Sequence, residues 1–204
     1  MSRIFVVGLN KSGTTSLHLL FKRSRISSLH FRAPGVGNAA LRLMNNIGTG
    51  RPLLHGMDQF TAYSDFSYAD RRIYIEGARF FRQFHAEYPD AWFILNMRDE
   101  TNWLNSRLNH MNGSLRDRAM AVYGVDQTGL ITLWRQQYRT HAEEVRTYFA
   151  GHHRFIEFHI ERDPIGRLVR FLGPAVSIDP KHWGQHNQSG LAAARDHTTG
   201  AGQS

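Results

Sequence analysis

Cysteine is absent from all 204 residues of the chain. This absence excludes disulfide bonds and every metal site that depends on thiolate ligands. A chain without cysteine fits a reducing compartment, because disulfide bonds are typical of proteins in oxidising ones. We therefore expect the protein to act in the cytoplasm, where it is made.

Long hydrophobic runs are also missing. The apolar stretch at residues 4–9 is too short for the core of a secretory signal and leads directly into a polar loop. No segment approaches the roughly 20 consecutive apolar residues that a membrane-spanning helix needs. The sequence therefore predicts neither a signal peptide nor a membrane span.

Lysine is scarce and occurs only at Lys11, Lys22 and Lys181, so arginine supplies nearly all of the positive charge. The formal net charge is +8, which indicates an anionic partner. Arginine holds phosphate and sulfate groups in a planar, bidentate way that lysine does not match. Charge alone leaves several partners open: a nucleotide, an acidic acceptor, a nucleic acid or a membrane surface.

Strand-like and helical segments alternate along the chain. The strand candidates are rich in β-branched and aromatic residues, and they lie at residues 4–8, 28–31, 73–76, 92–97 and 154–159. Helical periodicity marks residues 14–23, 78–87, 101–110, 130–149 and 165–172. The alternation predicts an α/β fold with a parallel sheet of about five strands flanked by helices.

The remaining stretches have weaker patterns. Glycine, asparagine and polar residues interrupt residues 33–70, which we expect to form a partly irregular insertion with a short helix near residues 39–45. Residues 191–204 are small and polar, which is typical of a disordered terminal tail. We therefore expect one domain at residues 1–190, followed by that tail.

The loop between the first strand and the first helix carries the clearest motif. Gly8 and Gly13 have the spacing of a phosphate-binding P-loop, but Thr14 stands where that loop has its lysine, and the lysine has moved to Lys11. A strand, a tight loop and a helix start form an anion site, because helix N-termini present amides without internal partners. The candidate binding residues are Lys11, Ser12, Gly13, Thr14, Thr15 and Ser16.

The order Lys-Ser-Gly-Thr-Thr resembles the 5′-phosphosulfate loop of sulfotransferases that use 3′-phosphoadenosine-5′-phosphosulfate (PAPS). The stretch GLNKSGTTSLHLLF is similar to a widespread bacterial-type branch of that family, with Asn10 where many members have proline. The resemblance implies a P-loop-type sulfotransferase fold. It also implies transfer of a sulfuryl group from PAPS, as co-substrate, to a hydroxyl or amine of an acceptor.

A second motif follows the strand at residues 92–97. Arg98 comes directly after this strand, and Ser106 lies on the next predicted helix. Open α/β sheets bind ligands at the carboxyl ends of their strands, and a guanidinium binds phosphate bidentately. The stretch WFILNMRDETNWLNS resembles the family segment that binds the 3′-phosphate of PAPS, although Glu100 fills a slot that often holds proline. The resemblance implies that Arg98 and Ser106 bind this phosphate.

Sulfuryl transfer needs a group that stabilises the leaving phosphate and a base that takes the acceptor's proton. Lys11 is the natural candidate for the first role. The stretch AYSDF resembles the family segment that carries the base, which places Asp65 in the second role. Aspartate in such a stretch also commonly caps a turn. His55 and His30 are therefore alternative bases.

Some features of the sequence also fit other functions. The chain has 12 histidines, but no third ligand clusters with any histidine pair, so we expect no metal site and no metal requirement. A P-loop nucleotide kinase and a basic nucleic-acid-binding protein are the alternatives, although no nucleic-acid recognition motif is present. We expect a small-molecule, carbohydrate or lipid acceptor and no nucleic-acid partner. The sequence leaves the oligomeric state open.

Overall fold

The computed structural model describes residues 2–184 of the chain. The strands, in chain order, are β1 (Ile4–Val6), β2 (Ser28–His30), β3 (Arg32–Ala33), β4 (Gly37–Asn38), β5 (Ala62–Ser64), β6 (Ser67–Ala69), β7 (Tyr74–Glu76), β8 (Trp92–Met97) and β9 (Phe155–His159). The α-helices are α1 (Thr14–Arg23), α2 (Ala39–Gly48), α3 (Phe81–Glu87), α4 (Glu100–Leu108), α5 (Ser114–Tyr123), α6 (Gln127–Tyr148) and α7 (Ile165–Leu172). Short 3-10 helices cover Gly77–Phe80 and Pro180–His182.

The main sheet contains five strands in the order β2-β5-β1-β8-β9, and all neighbouring pairs are parallel. β1 is the central strand, because Phe5 pairs with Tyr63 of β5 on one side and with Phe93 of β8 on the other. Parallel strands place their carboxyl ends at one edge, so the loops after β5, β1 and β8 meet there. The predicted α/β fold with a five-stranded parallel sheet is confirmed.

Helices cover both faces of this sheet. Side chains alternate along β1, so Phe5 joins the core layer beneath α3, α4 and α6, whereas Ile4 and Val6 join the layer beneath α1 and α7. All residues of β1 and β8 are buried, which explains why their sequences are almost continuously apolar. This two-layered core fixes the strand ends on which the site is built.

The strand predicted at residues 73–76 is present, but the structure differs from the sequence prediction in which strands form the main sheet. Residues 73–76 do contain strand β7, but β7 pairs antiparallel with β6 in a separate hairpin and takes no part in the main sheet. The main sheet contains β5 in place of β7, and β5 lies inside the stretch that the sequence predicts as a partly irregular insertion. β5 has only three residues, too few for a recognisable period, and it is held in place by pairing with β1 and β2.

The predicted domain limit at residue 190 and the predicted tail at residues 191–204 lie outside the described residues. Within residues 2–184, no helix has both the length and the hydropathy that crossing a bilayer requires.

Candidate active site

The loop between β1 and α1 is held from two sides. The amide of Gly8 donates to Oδ1 of Asn96 (2.8 Å), and Nδ2 of the same asparagine donates to the carbonyl of Ser12 (2.8 Å). Asn96 is fully buried in β8. On the opposite side, Nε1 of Trp103 in α4 donates to the carbonyl of Asn10 (2.9 Å). The loop backbone is therefore fixed before any ligand binds.

The conformation of this loop suits an anion. Lys11 and Gly13 have φ values of 72° and 88°, in the left-handed region. Left-handed residues that alternate with right-handed ones turn successive amides toward one point and form a concave anion site. α1 begins at Thr14, directly after Gly13, and no side chain caps it. The positive end of the helix dipole therefore lies at the end of the loop.

Both sequence motifs border the same space. The loop opens on a cavity of about 520 Å³. Loop and helix residues that line it are Asn10, Lys11, Gly13, Thr14, Thr15 and Ser16. Arg98 and Ser106 line the same cavity, together with Glu161 from the segment after β9. The fold thus brings two motifs that are distant in sequence to one edge of the sheet.

Arg98 is oriented by the elements around it. Its amide donates to the Tyr138 hydroxyl (3.0 Å), and this hydroxyl donates to the Arg98 carbonyl (2.5 Å). Its Nε donates to the carboxylate of Glu161 (2.8 Å). Neither terminal guanidinium nitrogen of Arg98 has a hydrogen-bond partner among residues 2–184. Both nitrogens remain as donors for an anion in the cavity.

Lys11 and His110 meet at the cavity wall, with 3.1 Å between Nζ and the histidine Nδ1. Burial lowers the pKa of Lys11, the carboxylate of Asp65 partly opposes this, and the charges of Arg98 and Arg107 lower it further. Burial and the nearby Lys11 charge also lower the pKa of His110. At neutral pH this histidine is therefore uncharged, and its Nδ1 can accept a hydrogen bond from the ammonium group.

Asp65 follows β5 and also lines the cavity. Its φ of 52° is left-handed, a conformation that aspartate tolerates better than most residues. Oδ1 accepts hydrogen bonds from Nδ2 of Asn10 (3.0 Å) and Oγ of Ser67 (2.6 Å), and Oδ2 lies 3.6 Å from Nε2 of His30. The asparagine that replaces the common proline of the loop therefore connects the loop to Asp65.

Comparison with protein families identifies the chain. A family model described as a sulfotransferase domain matches residues 3–135, more than half of the chain. The chain belongs to the sulfotransferase family. The predicted resemblance to this family is thereby confirmed, and the protein is an enzyme of sulfuryl transfer. The matched region includes Lys11, Asp65, Arg98 and Ser106. No curated protein matches the chain.

Two of the predicted site residues of this sulfotransferase do not line the cavity. Ser12 is fully buried, and its carbonyl accepts the hydrogen bond from Asn96 that fixes the loop. His55 is exposed in the turn after α2, where its carbonyl accepts a hydrogen bond from Asn46 (3.0 Å). His55 is therefore not carried into the proposed mechanism, because a base must reach the reacting hydroxyl.

Two stacked histidines lie on the side of the site that carries Asp65. The rings of His18 and His30 stack with 5.0 Å between centroids. Nδ1 of His30 is 3.1 Å from Oγ of Ser64, and Nε2 is 3.4 Å from Oγ1 of Thr15. Burial lowers the pKa of His30 although Asp65 opposes it, and burial lowers the pKa of His18 to about 4. Both rings are therefore neutral at neutral pH.

A buried ion pair between Arg107 and Glu76 stabilises the structure around the site. Arg107 of α4 is fully buried and donates to the Glu76 carboxylate and to the Tyr74 hydroxyl. Its guanidinium lies 4.7 Å from the ring centroids of Trp103 and of Trp134. Removing one partner of such a pair typically costs about 3–5 kcal/mol, because the other charge stays buried. The pair thus fixes the β6–β7 hairpin against the helix that carries Ser106.

Three residues of the site carry no recognisable sequence signal. Asn96 sits inside an apolar strand, His110 lies beyond the end of α4, and Glu161 follows β9. Each acts on a residue far away in sequence, so only the fold brings them together. Among the described residues, no group of three or more histidine, aspartate or glutamate side chains is arranged to hold a metal ion.

Proposed function

We propose that this sulfotransferase takes its sulfuryl group from PAPS and transfers it to a hydroxyl or amine of a small-molecule acceptor. One observation carries the proposal: the loop at the start of α1 and the pair Arg98 and Ser106 line one cavity. PAPS has a phosphosulfate at its 5′ position and a phosphate at its 3′ position. A single nucleotide therefore offers one anion to each of these two places, whereas ATP has no 3′-phosphate.

The residues present fit this co-substrate. The helix start and Lys11 provide amides and a positive charge for the phosphosulfate. The unpartnered guanidinium nitrogens of Arg98 and the Ser106 hydroxyl provide donors for the 3′-phosphate. PAPS supplies an activated sulfuryl group, which carries less charge than a phosphoryl group. Loop amides and one lysine are then a suitable set of positive groups, and we expect no metal requirement.

The places of Asp65, Lys11 and Thr14 in the cavity wall support a chemical role for each of them. Asp65 accepts the proton of the acceptor hydroxyl while the bond between the hydroxyl oxygen and sulfur forms. Lys11 stabilises the electron pair that remains on the bridging phosphate oxygen as its bond to sulfur breaks. The loop amides and Thr14 hold the phosphosulfate in line with the acceptor.

His30 is the second candidate base, because it lines the cavity beside Asp65 and is uncharged at neutral pH. We expect Asp65→Asn to reduce turnover by about 10²–10⁴-fold, the usual contribution of a general base. Steady-state rates with labelled PAPS measure this. Unchanged turnover in Asp65→Asn together with a large loss in His30→Gln would assign the role to the histidine instead.

Calorimetry with nucleotides tests the proposal. Adenosine 3′,5′-bisphosphate should bind about 10–150-fold more tightly than adenosine 5′-monophosphate, because charge-assisted hydrogen bonds to the 3′-phosphate contribute about 1.5–3 kcal/mol. In Arg98→Ala this preference should largely disappear, while affinity for the monophosphate stays the same. Arg23→Ala is the matched control, because this arginine is exposed at the end of α1 and does not line the cavity.

Other results would favour the alternative functions. Tighter binding of ATP with magnesium than of the bisphosphate would contradict PAPS as the donor and favour kinase-like nucleotide binding. Binding of DNA or RNA with a steep salt dependence would contradict the expectation of no nucleic-acid partner. The cytoplasm stays the proposed place of action, on the argument from the cysteine-free sequence.

A further inference from the structure

The cavity is lined by residues that follow strands on both sides of the central strand β1. The order of the strands therefore divides the cavity into two sides. Arg98 and Glu161 follow β8 and β9, on one side of the central strand β1. Asp65 follows β5, and Phe31 follows β2, on the other side. Under the proposed function, the 3′-phosphate occupies the first side. The acceptor then occupies the second side, whose walls also include the β6–β7 hairpin and α5.

Two exposed apolar side chains of the cavity wall, one after β2 and one between α4 and α5, are held in unfavourable backbone conformations. Phe31 is 38% exposed with φ of 58°, and Met111 is 62% exposed with φ of 51°. Bulky residues rarely adopt this left-handed region. Of the exposed large apolar residues within residues 2–184, these two have positive φ, and both line the cavity. Neither the exposure of these two side chains nor the strain of their backbone stabilises the fold. Such unfavourable features are typical of positions that contact a ligand.

Two arginines accompany these apolar side chains. Arg118 of α5 donates from Nη1 to the carbonyl of Ala69 (3.0 Å), and Arg32 lies next to Phe31 in the chain. Both arginines line the cavity, and neither forms an ion pair with a carboxylate in the described part of the chain. The Arg118 charge also lowers the pKa of His110, which places it near the histidine that contacts Lys11.

We propose that the acceptor is an apolar hydroxyl compound that bears an anionic oxyacid group, such as a phenol with a carboxylate on the same ring system. Phe31 and Met111 contact its apolar body, and Arg118 with Arg32 binds its anion. The acceptor hydroxyl then faces Asp65 and the sulfuryl group. This inference rests on the proposed function, because the nucleotide side of the cavity defines the acceptor side.

Matched probes test this substrate class. Calorimetry on the protein saturated with adenosine 3′,5′-bisphosphate compares 2-naphthol, 6-hydroxy-2-naphthoate and 6-hydroxynaphthalene-2-sulfonate. The two anionic probes should bind at least about 10-fold more tightly than the neutral one, as expected for a charge-assisted contact. A preference for one of them distinguishes carboxylate from sulfonate recognition.

Variants separate the two contacts. Arg118→Gln should remove most of the preference for the anionic probes, whereas Arg116→Gln on the same helix, outside the cavity, should leave it intact. Phe31→Asn should weaken all three probes about 5–10-fold without lowering Tm, because asparagine tolerates the left-handed region better than phenylalanine. A drop in Tm would mean that the phenylalanine serves the fold instead.

Equal affinity for neutral and anionic probes would overturn the inference and leave the proposed function standing. Loss of bisphosphate affinity in Arg118→Gln would also overturn it, because the arginine would then serve the nucleotide. Failure of the wild-type protein to bind the bisphosphate would overturn the proposed function and this inference with it.

Discussion

Replacing Lys11 with alanine is expected to slow sulfuryl transfer by about 10²–10³-fold, the usual effect of removing one donor that stabilises a developing anion. The lysine lies in the loop wall, and its ammonium is held 3.1 Å from Nδ1 of His110. The effect should fall on the chemical step, because the loop amides and Arg98 still bind the nucleotide. Single-turnover rates with labelled PAPS and an acceptor found by screening measure it.

Lys22→Ala is the matched control for this experiment, because Lys22 is exposed on α1 and lies outside the cavity. The pH dependence provides a second readout. Burial lowers the pKa of Lys11, and only the protonated amine can stabilise the leaving group. The rate should therefore fall on the alkaline side at a pH below the ordinary titration of lysine. Near-normal turnover in Lys11→Ala with intact PAPS binding would contradict the role.

Gly8→Ala is expected to destabilise the protein by about 3 kcal/mol, at the upper end of overpacking costs. A β-carbon at Gly8 would lie 2.1 Å from the carbonyl oxygen of Asn96 and 2.3 Å from its Oδ1. Neither atom can move easily, because Asn96 is buried in β8 and its side chain holds the loop. Tm should fall by about 6–12 °C in a domain of this size.

Gly48→Ala is the matched control for Gly8→Ala. Gly48 ends α2 and is exposed, and a β-carbon added there would have no heavy atom within 4 Å beyond its own local backbone. Alanine there should change stability by less than about 1 kcal/mol, in the stabilising direction. Thermal unfolding followed by circular dichroism measures both variants. An equal Tm for Gly8→Ala and the wild type would mean that the loop does not pack against β8 as described.

The elements that could be predicted from the sequence are those whose apolar pattern lies within the element itself. β8 was predicted with its observed bounds, because a strand buried on both faces is a continuous apolar run. α1 was predicted equally well from its apolar spacing. β5 was missed because its short sequence is set by pairing with β1 and β2, which no local pattern records. β7 shows the converse, since a clear strand pattern does not reveal which strand is its partner.

The same distinction applies to the site. The loop motif and Arg98 could be predicted as site residues because they are contiguous with a strand end or a helix start. His110 and Asn96 were not found, because each acts through contacts with residues more than 80 positions away. His55 was named from its residue type alone, and the fold places it in an exposed turn outside the cavity. Contacts between distant segments are therefore what the structure adds to the sequence.

The most direct test of the account is a crystal structure of the protein with adenosine 3′,5′-bisphosphate. The 5′-phosphate should lie against the amides at the start of α1, close to Lys11, and the 3′-phosphate should lie against Arg98 and Ser106. A nucleotide bound elsewhere, or bound in this cavity with its 3′-phosphate away from Arg98, would contradict the account.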